Sequence, residues 1–339
     1  MKTVTLSHGS GGKAMKDLIE QVFVAAFDNP LLAPLDDQAR VPMSLLAAYG
    51  DRLAMTTDAF VVDPLEFPGG DIGTLAICGT INDLAVGGAT PLYLSCAAII
   101  EEGLPFDLLH RIAQSMAATA RAACVQVVTG DTKVVPRGAC DKLFLTTAGI
   151  GVIRTGVELG VHRAQPGDAV LVNGVIGDHG AAVLAARGDL ALDAPIDSDC
   201  AALHGLVDTL LTAAPGTRFM RDATRGGVAT VLNEIAVAAN VGIEIEEDAV
   251  PLRASVRGFC EILGLDPLYL ANEGRLVAIV PDAEADGALA AMRAHPLGAG
   301  ACRIGSVTQR RPRQVVMRTV LGGQRIVDML VGDQLPRIC

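Results

Sequence analysis

Short apolar runs alternate with helical patterns along the whole of this 339-residue chain, and that alternation restricts it to a mixed α/β architecture in which helices cover sheets. Apolar runs at 53–57, 92–100, 125–128 and 142–153 predict strands in the first half. Helical patterns at 71–86 and 105–124 lie between them, the second with Leu108, Ile112 and Met116 recurring every fourth residue. The second half repeats the style, with helices expected at 179–187, 201–212, 227–240 and 283–295. Strands are expected there at 169–172, 243–246, 276–280, 303–307 and 314–320. The chain exceeds one ordinary core. Gly156, Gly160, Pro166 and Gly167 punctuate a break, so the sequence divides into domains 1–155 and 156–330 and a flexible tail, 331–339. The stretch 31–42 reads as a surface loop.

Half of the residues are apolar but only 3% are aromatic, with no Trp, so Ala and Gly fill the space between helix and sheet. With 27 basic and 38 acidic residues the net charge is −11, which argues against nucleic acid or an anionic membrane as partner. An acidic protein can still hold a polyanion through Mg²⁺. The eight cysteines form no C-x-x-C pair and no zinc spacing, and most sit in apolar runs as small core residues. That usage fits a reducing compartment. Residues 1–4 open no signal peptide and no apolar stretch reaches the length of a membrane span, so the expected location is cytoplasmic.

The chain ends Pro336-Arg337-Ile338-Cys339. Extended from Val331, such a tail reaches roughly 30 Å, enough to enter a cleft. Its thiol is either a solvated end or a carrier travelling between active sites, with Arg337 favouring thiolate and the terminal carboxylate opposing it.

Several carboxylates stand singly beside apolar strands or in turns: Asp36-Asp37 in a loop, Asp58 after Thr56-Thr57, Asp83 after Asn82, Asp131 after Gly130 and Asp222 before Thr224-Arg225-Gly226-Gly227. Taken singly, each reads as a turn or cap aspartate; together they could converge on cations and a polyphosphate. Asp83 interrupts an otherwise apolar helix. Two glycine-rich elements, at 8–13 and 225–227, offer free backbone N–H groups to phosphate, although neither is a Walker A loop.

Taken together, these segments resemble the HypE family of hydrogenase maturation proteins, within the aminoimidazole ribonucleotide synthetase-like ATP-binding superfamily. The resemblance runs from Ser7-His8-Gly9-Ser10-Gly11-Gly12-Lys13 through the aspartate motifs and Ala271-Asn272-Glu273-Gly274 to Pro336-Arg337-Ile338-Cys339. It implies a two-domain α/β fold with mixed sheets, dimerising through the first sheet, with ATP and Mg²⁺ bound near that interface. The implied activity is ATP-dependent dehydration of an S-carbamoyl group on the terminal cysteine to a thiocyanate. The partners implied are the carbamoyltransferase HypF and the HypC and HypD scaffold. On that resemblance the catalytic groups are Cys339, Lys133 and Glu273. The metal ligands are Asp37, Asp58, Asp83, Asp131 and Asp222, with Asp37 preferred over Asp36. Nucleotide contacts fall to Asp83, Asp131, Asp222, Thr224, Arg225, Gly226 and Lys13, while His8 is a loop hydrogen-bonder. Two other readings stay open: a synthetase or kinase of the same superfamily acting on a free small molecule, and a non-catalytic protein whose tail docks on a partner. Selenophosphate synthesis calls for a thiol in the first glycine loop, where this chain has Ser10.

Overall fold

The protein is described by a computed structural model covering residues 2–188, 196–330, 332 and 337–339. From the N-terminus come α1 (Lys13–Leu18), α2 (Ala25–Phe27), α3 (Met43–Ala47), β1 (Arg52–Phe60), the short ribbon β2 (Glu66–Phe67) and β3 (Gly70–Asp71), and α4 (Ile72–Val86). They are followed by β4 (Ala89–Glu101), α5 (Phe106–Ala122), β5 (Gln126–Val135) and β6 (Leu143–Ile153). The main strands form one sheet in the order β1-β6-β4-β5, with β4 and β5 parallel and the other pairs antiparallel. Strand β5 runs well past the expected 125–128, so Asp131 and Lys133 are strand residues rather than turn residues.

Helix α4 begins where the Asp71 carboxylate accepts the Thr74 N–H at 2.8 Å. It has almost no polar face, and the fold buries it on all sides between the sheet and α5. Helix α5 is amphipathic, but its buried stripe is Leu109, Ile112, Met116 and Ala120; Leu108 is only partly covered. One helix was expected on each pair of strands. Instead α4 lies on the sheet and α5 packs largely on α4.

After the break the chain forms β7 (Ala169–Val172), α6 (Asp178–Ala186), α7 (His204–Ala213), β8 (Phe219–Asp222), α8 (Gly227–Ala238) and β9 (Gly242–Glu246). It continues with α9 (Ala254–Leu263), β10 (Leu276–Val280), α10 (Asp282–Ala294), β11 (Cys302–Thr308), β12 (Val315–Arg318) and β13 (Gln324–Val327). These strands make a second sheet in the order β13-β12-β9-β11-β7-β10-β8. Its centre is wholly apolar: β7 and β10 are buried at every residue, as strands covered on both faces must be. Sequence periodicity overlooked β8, β13, α9 and the helical stretch at 13–27. The two strands have four residues each, too few for an alternating pattern to register.

The two halves are joined by a buried amide. Asn82, on α4, donates from Nδ2 to the Ala201 carbonyl at 3.0 Å and the Glu273 carbonyl at 3.3 Å, and accepts the Leu203 N–H at 2.7 Å. Removing it leaves those groups unpaired in a dry interior, at a cost of about 2 kcal/mol or more. Asn82→Ala is therefore expected to lower the urea midpoint of unfolding, read by circular dichroism. An unchanged midpoint would show that the two halves do not depend on this amide.

Candidate active site

The end of the chain folds back onto the protein, with Ile338 buried, Cys339 partly buried and Arg337 exposed. Ile338 is only 4% exposed and pairs with Val62 in an isolated antiparallel bridge. The Arg337 carbonyl accepts from Arg187 Nη2 at 2.8 Å and from the Asp63 N–H at 3.3 Å, while the Ile338 carbonyl meets His179 Nε2 at 2.8 Å. This places the Cys339 thiol on the Glu273 carboxyl, to which it hydrogen-bonds. The expected flexible tail covers 331–339, of which 331 and 333–336 lie outside the described residues.

Glu273 is 2% exposed, and its Oε1 is buried with no hydrogen-bond partner. Its backbone is held rigidly. The Asp199 carboxylate accepts the N–H groups of Glu273 at 3.0 Å and Gly274 at 3.3 Å. Asn272 donates to the Ala223 carbonyl at 2.8 Å and accepts the Gly177 N–H at 2.7 Å. Burial pushes the Glu273 carboxyl well above the usual carboxylate range, and the charges of Asp222 and Asp199 push it further. The Cys339 thiol is likewise raised, first by burial and then by Glu273, with Arg225 opposing. Cys78 and Cys200 touch each other beside Glu273, so Cys78 is not only the small core residue that its apolar run suggested.

Three of the expected acidic residues, Asp58, Asp83 and Asp222, lie close enough to act on one another, and Asp222 acts on Glu273. Thr56 donates to Asp83 Oδ2 at 2.7 Å and Thr80 to Asp58 Oδ2 at 3.1 Å. Burial raises the Asp58 carboxyl, and the neighbouring Asp83 raises it further. Asp222, the last residue of β8, is pushed up to about 7 by burial and then by Asp83. Arg225 is the cation facing this group, acting on both Asp58 and Cys339. It follows Thr224 and precedes Gly226 and Gly227, which open α8 with φ of +74° and +60°. A Cβ on Gly227 would fall 2.4 Å from the Leu268 carbonyl oxygen, so only glycine allows α8 to start here. The carboxylates hold all-oxygen donors in a field that favours a cation. Among the described residues, however, no three such side chains stand close enough to bind a metal unaided. That suits Mg²⁺, which takes one or two carboxylates and fills its other positions with water and phosphate oxygens.

The remaining candidates lie elsewhere. Asp58 pairs across the sheet with Thr147 and, through it, with Cys96 and Gly130, whereas Asp131 pairs with Ala97 and Thr146. Asp131 and Lys133 therefore project, exposed, from the opposite face of the sheet to Asp58. Asp131 also lines a cleft of about 720 Å³ with Lys16, Asp36 and Asp37, under the N-terminal helix. Asp37 is exposed, and Asp36 is paired with Arg40 at 3.3 Å. Lys13 is exposed at the start of α1. His8 is tied into its own loop, with Nδ1 3.0 Å from the Thr5 nitrogen. Sequence reasoning missed Asp199, His179 and Ser198; a run of polar residues at 197–199 was the signal for Ser198 and Asp199, and His179 stood at the head of an expected helix.

Residues 36–153 match the N-terminal domain of the AIR synthase related proteins, and residues 165–317 match the C-terminal domain of the same family. The chain is 63% identical over 336 residues to carbamoyl dehydratase HypE of Rhodobacter capsulatus, covering 99% of this chain and 98% of that protein. The crystal structure of hydrogenase maturation protein HypE in complex with ATP matches with a TM-score of 0.94 at 50% identity, over 99% of this chain and 100% of that one. A HypE–HypF complex matches with a TM-score of 0.80 at 46% identity, over 92% and 99%.

The raised Asp222 carboxyl has a consequence for stability. Between about pH 4 and about 7 the unfolded chain ionises this group while the folded chain retains the proton, so folding stability falls as pH rises through that window. With Mg²⁺ and nucleotide removed, Asp222→Asn is expected to flatten the decline and to be more stable than the parent at pH 8, measured by urea unfolding. Parallel pH profiles for the two proteins would show that Asp222 titrates normally.

Proposed function

The chain belongs to the HypE carbamoyl dehydratases of the AIR synthase related family, and we propose how its own residues perform the family's reaction. That reaction is ATP-dependent dehydration of an S-carbamoyl group on Cys339 to a thiocyanate, the source of the cyanide ligand on the iron of a nickel-iron hydrogenase. The observation that carries the residue assignment is the docked chain end: the Cys339 thiol rests on the buried Glu273 carboxyl, with Arg225 and Asp58 near enough to act on it. A free small-molecule substrate would have to compete with that tail for the same space.

A thiocarbamate amide loses water poorly because its oxygen is a bad leaving group. Attack of that oxygen on the γ-phosphorus of ATP releases ADP and makes the oxygen part of a phosphate ester. Loss of the nitrogen protons then expels phosphate and leaves S–C≡N. Glu273 takes a proton from nitrogen. Its raised affinity for protons makes it a stronger base than a solvated carboxylate, and its unpartnered Oε1 is free to receive one. Burial of the pocket keeps water from competing with the departing phosphate. Arg225 and the N–H groups opening α8 hold phosphate oxygens, with Thr224 and Gly226 beside them. Mg²⁺, held by Asp83 and Asp222 with Asp58 adjacent, would neutralise phosphate charge as it moves to the leaving group.

Asp131, Lys133 and Asp37 serve this chemistry across a homodimer. The outer face of the first sheet is unusually apolar, with Leu53 60% and Met55 72% exposed, a surface suited to a second copy. Pairing through that face carries the partner subunit's Lys133 toward the pocket as the second proton-handling group. The eight cysteines, without paired or zinc spacing, support a reducing cytoplasm as the setting of this chemistry. Among the described residues no helix is long and apolar enough to cross a membrane.

With HypF, carbamoyl phosphate and ATP supplied, the C-terminal peptide is expected to gain a carbamoyl group and then lose one water, both on Cys339, by mass spectrometry. Thiocyanate formation by a chain lacking Cys339 would overturn the assignment. Glu273→Gln and Lys133→Ala should each accept the carbamoyl group yet dehydrate it about 100-fold or more slowly. The dimer adds a sharper expectation. Mixed Lys133→Ala and Glu273→Gln chains should recover about a quarter of wild-type dehydration, since half the dimers then hold one intact site. No recovery on mixing would mean that Lys133 does not act across the dimer.

A further inference from the structure

We propose that His179, braced by Ser198, is the positioning residue that sets the tail in register on Glu273, and that Asp63, Arg187 and Asp141 complete a dock reading Arg337 and Ile338. The inference rests on the function proposed above but concerns residues that its chemistry does not use. His179 is fully buried at the start of α6. The Ile338 carbonyl can only accept a hydrogen bond, so His179 Nε2 carries the proton and donates it across 2.8 Å. Nδ1 is then left to accept from the Ser198 hydroxyl at 2.8 Å, whose oxygen in turn accepts the Cys200 N–H at 3.2 Å. The edge of the Phe67 ring, 5.4 Å away and nearly perpendicular, fixes the imidazole plane. Burial holds the imidazole pKa below its usual value, consistent with this neutral tautomer.

The dock and the base share one scaffold. Gly177, which precedes the helix carrying His179, is held by Asn272, the residue before Glu273. Ser198, which braces His179, precedes Asp199, which grips the Glu273 backbone. The distance from the Ile338 carbonyl to the Glu273 carboxyl is thus set by short, buried hydrogen bonds rather than by the tail itself. Side chains add selectivity. Ile338 inserts into the first hydrophobic core, and Arg337 reaches Asp141 Oδ2 at 3.2 Å. The thiol must leave to be loaded in the carbamoyltransferase, so the dock has to be weak enough to release and exact enough to present the sulfur on return.

The test compares wild type with His179→Phe, which keeps a ring but cannot donate, His179→Gln, which restores a donor, and Ser198→Ala, which frees the ring. Alkylation of Cys339 by iodoacetamide, followed at the C-terminal peptide by mass spectrometry, should speed up about tenfold in His179→Phe, the shift one lost hydrogen bond allows. It should rise less in Ser198→Ala and return part of the way in His179→Gln. Carbamoyl loading should be undiminished in all three, while dehydration falls in the same order. Unchanged alkylation in both His179→Phe and Ser198→Ala would overturn the dock, as would equal losses of loading and dehydration. Alkylation needs no carbamoyl chemistry, so a wild type that fails to dehydrate would refute the proposed function and leave this comparison intact.

Discussion

A carboxyl group kept out of water with one oxygen unpartnered is the constraint around which this structure is arranged. Among the described residues no cation is paired to Glu273, and leaving such a group buried costs several kcal/mol unless it stays protonated or finds a hydrogen-bond partner. Asp199 and Asn272 do not relieve that cost, because they bind only its backbone and neighbours. What they do is prevent the residue from turning outward to solvent. Among the described residues, the side-chain partner offered to Glu273 is the Cys339 thiol.

The same pressure explains the acidic residues around it. Asp83 raises the proton affinity of Asp58 and of Asp222, while Arg225 opposes the rise at Asp58 and Arg221 opposes it at Asp222. A cluster of that kind is strained when empty and is relieved by positive charge, which makes the site receptive to cation-bound polyphosphate. Mutual repulsion here is a means of binding. The hydroxyls of Thr56 and Thr80 moderate it without neutralising it.

Sheet geometry divides the remaining candidates. A strand alternates its faces, so residues a single step apart in register point to opposite sides. Asp58 turns toward α4 and the pocket, while Asp131 and Lys133 turn toward the outer face with Leu53 and Met55. In the proposed homodimer, a second molecule brings the outer face round, so that the two sets of candidate side chains meet at a single site. The polar residues and the exposed apolar ones then belong to one arrangement.

Sequence alone determined the α/β class, the central strands and the helices at 72–86 and 227–238, because local periodicity and punctuation are short-range properties. It also singled out the terminal thiol, the aspartates and Glu273 through motifs that resemble a family. The short strand 219–222 escaped because four residues hold too little pattern; the helix at 254–263 escaped although Val256, Phe259 and Cys260 recur at helical spacing. The full length of β5, and with it the side on which Asp131 and Lys133 stand, followed from pairing with β4, a partner remote in sequence. Tertiary structure alone decided that Ile338 is buried, that His179 and Asp199 hold the Ile338 carbonyl and the Glu273 backbone, and that Asn82 ties the halves together. Those facts depend on hydrogen bonds between residues remote in sequence, such as Asn82 and the Glu273 carbonyl, 191 positions apart. No local pattern records such a bond, because the two partners become neighbours only once both sheets have formed.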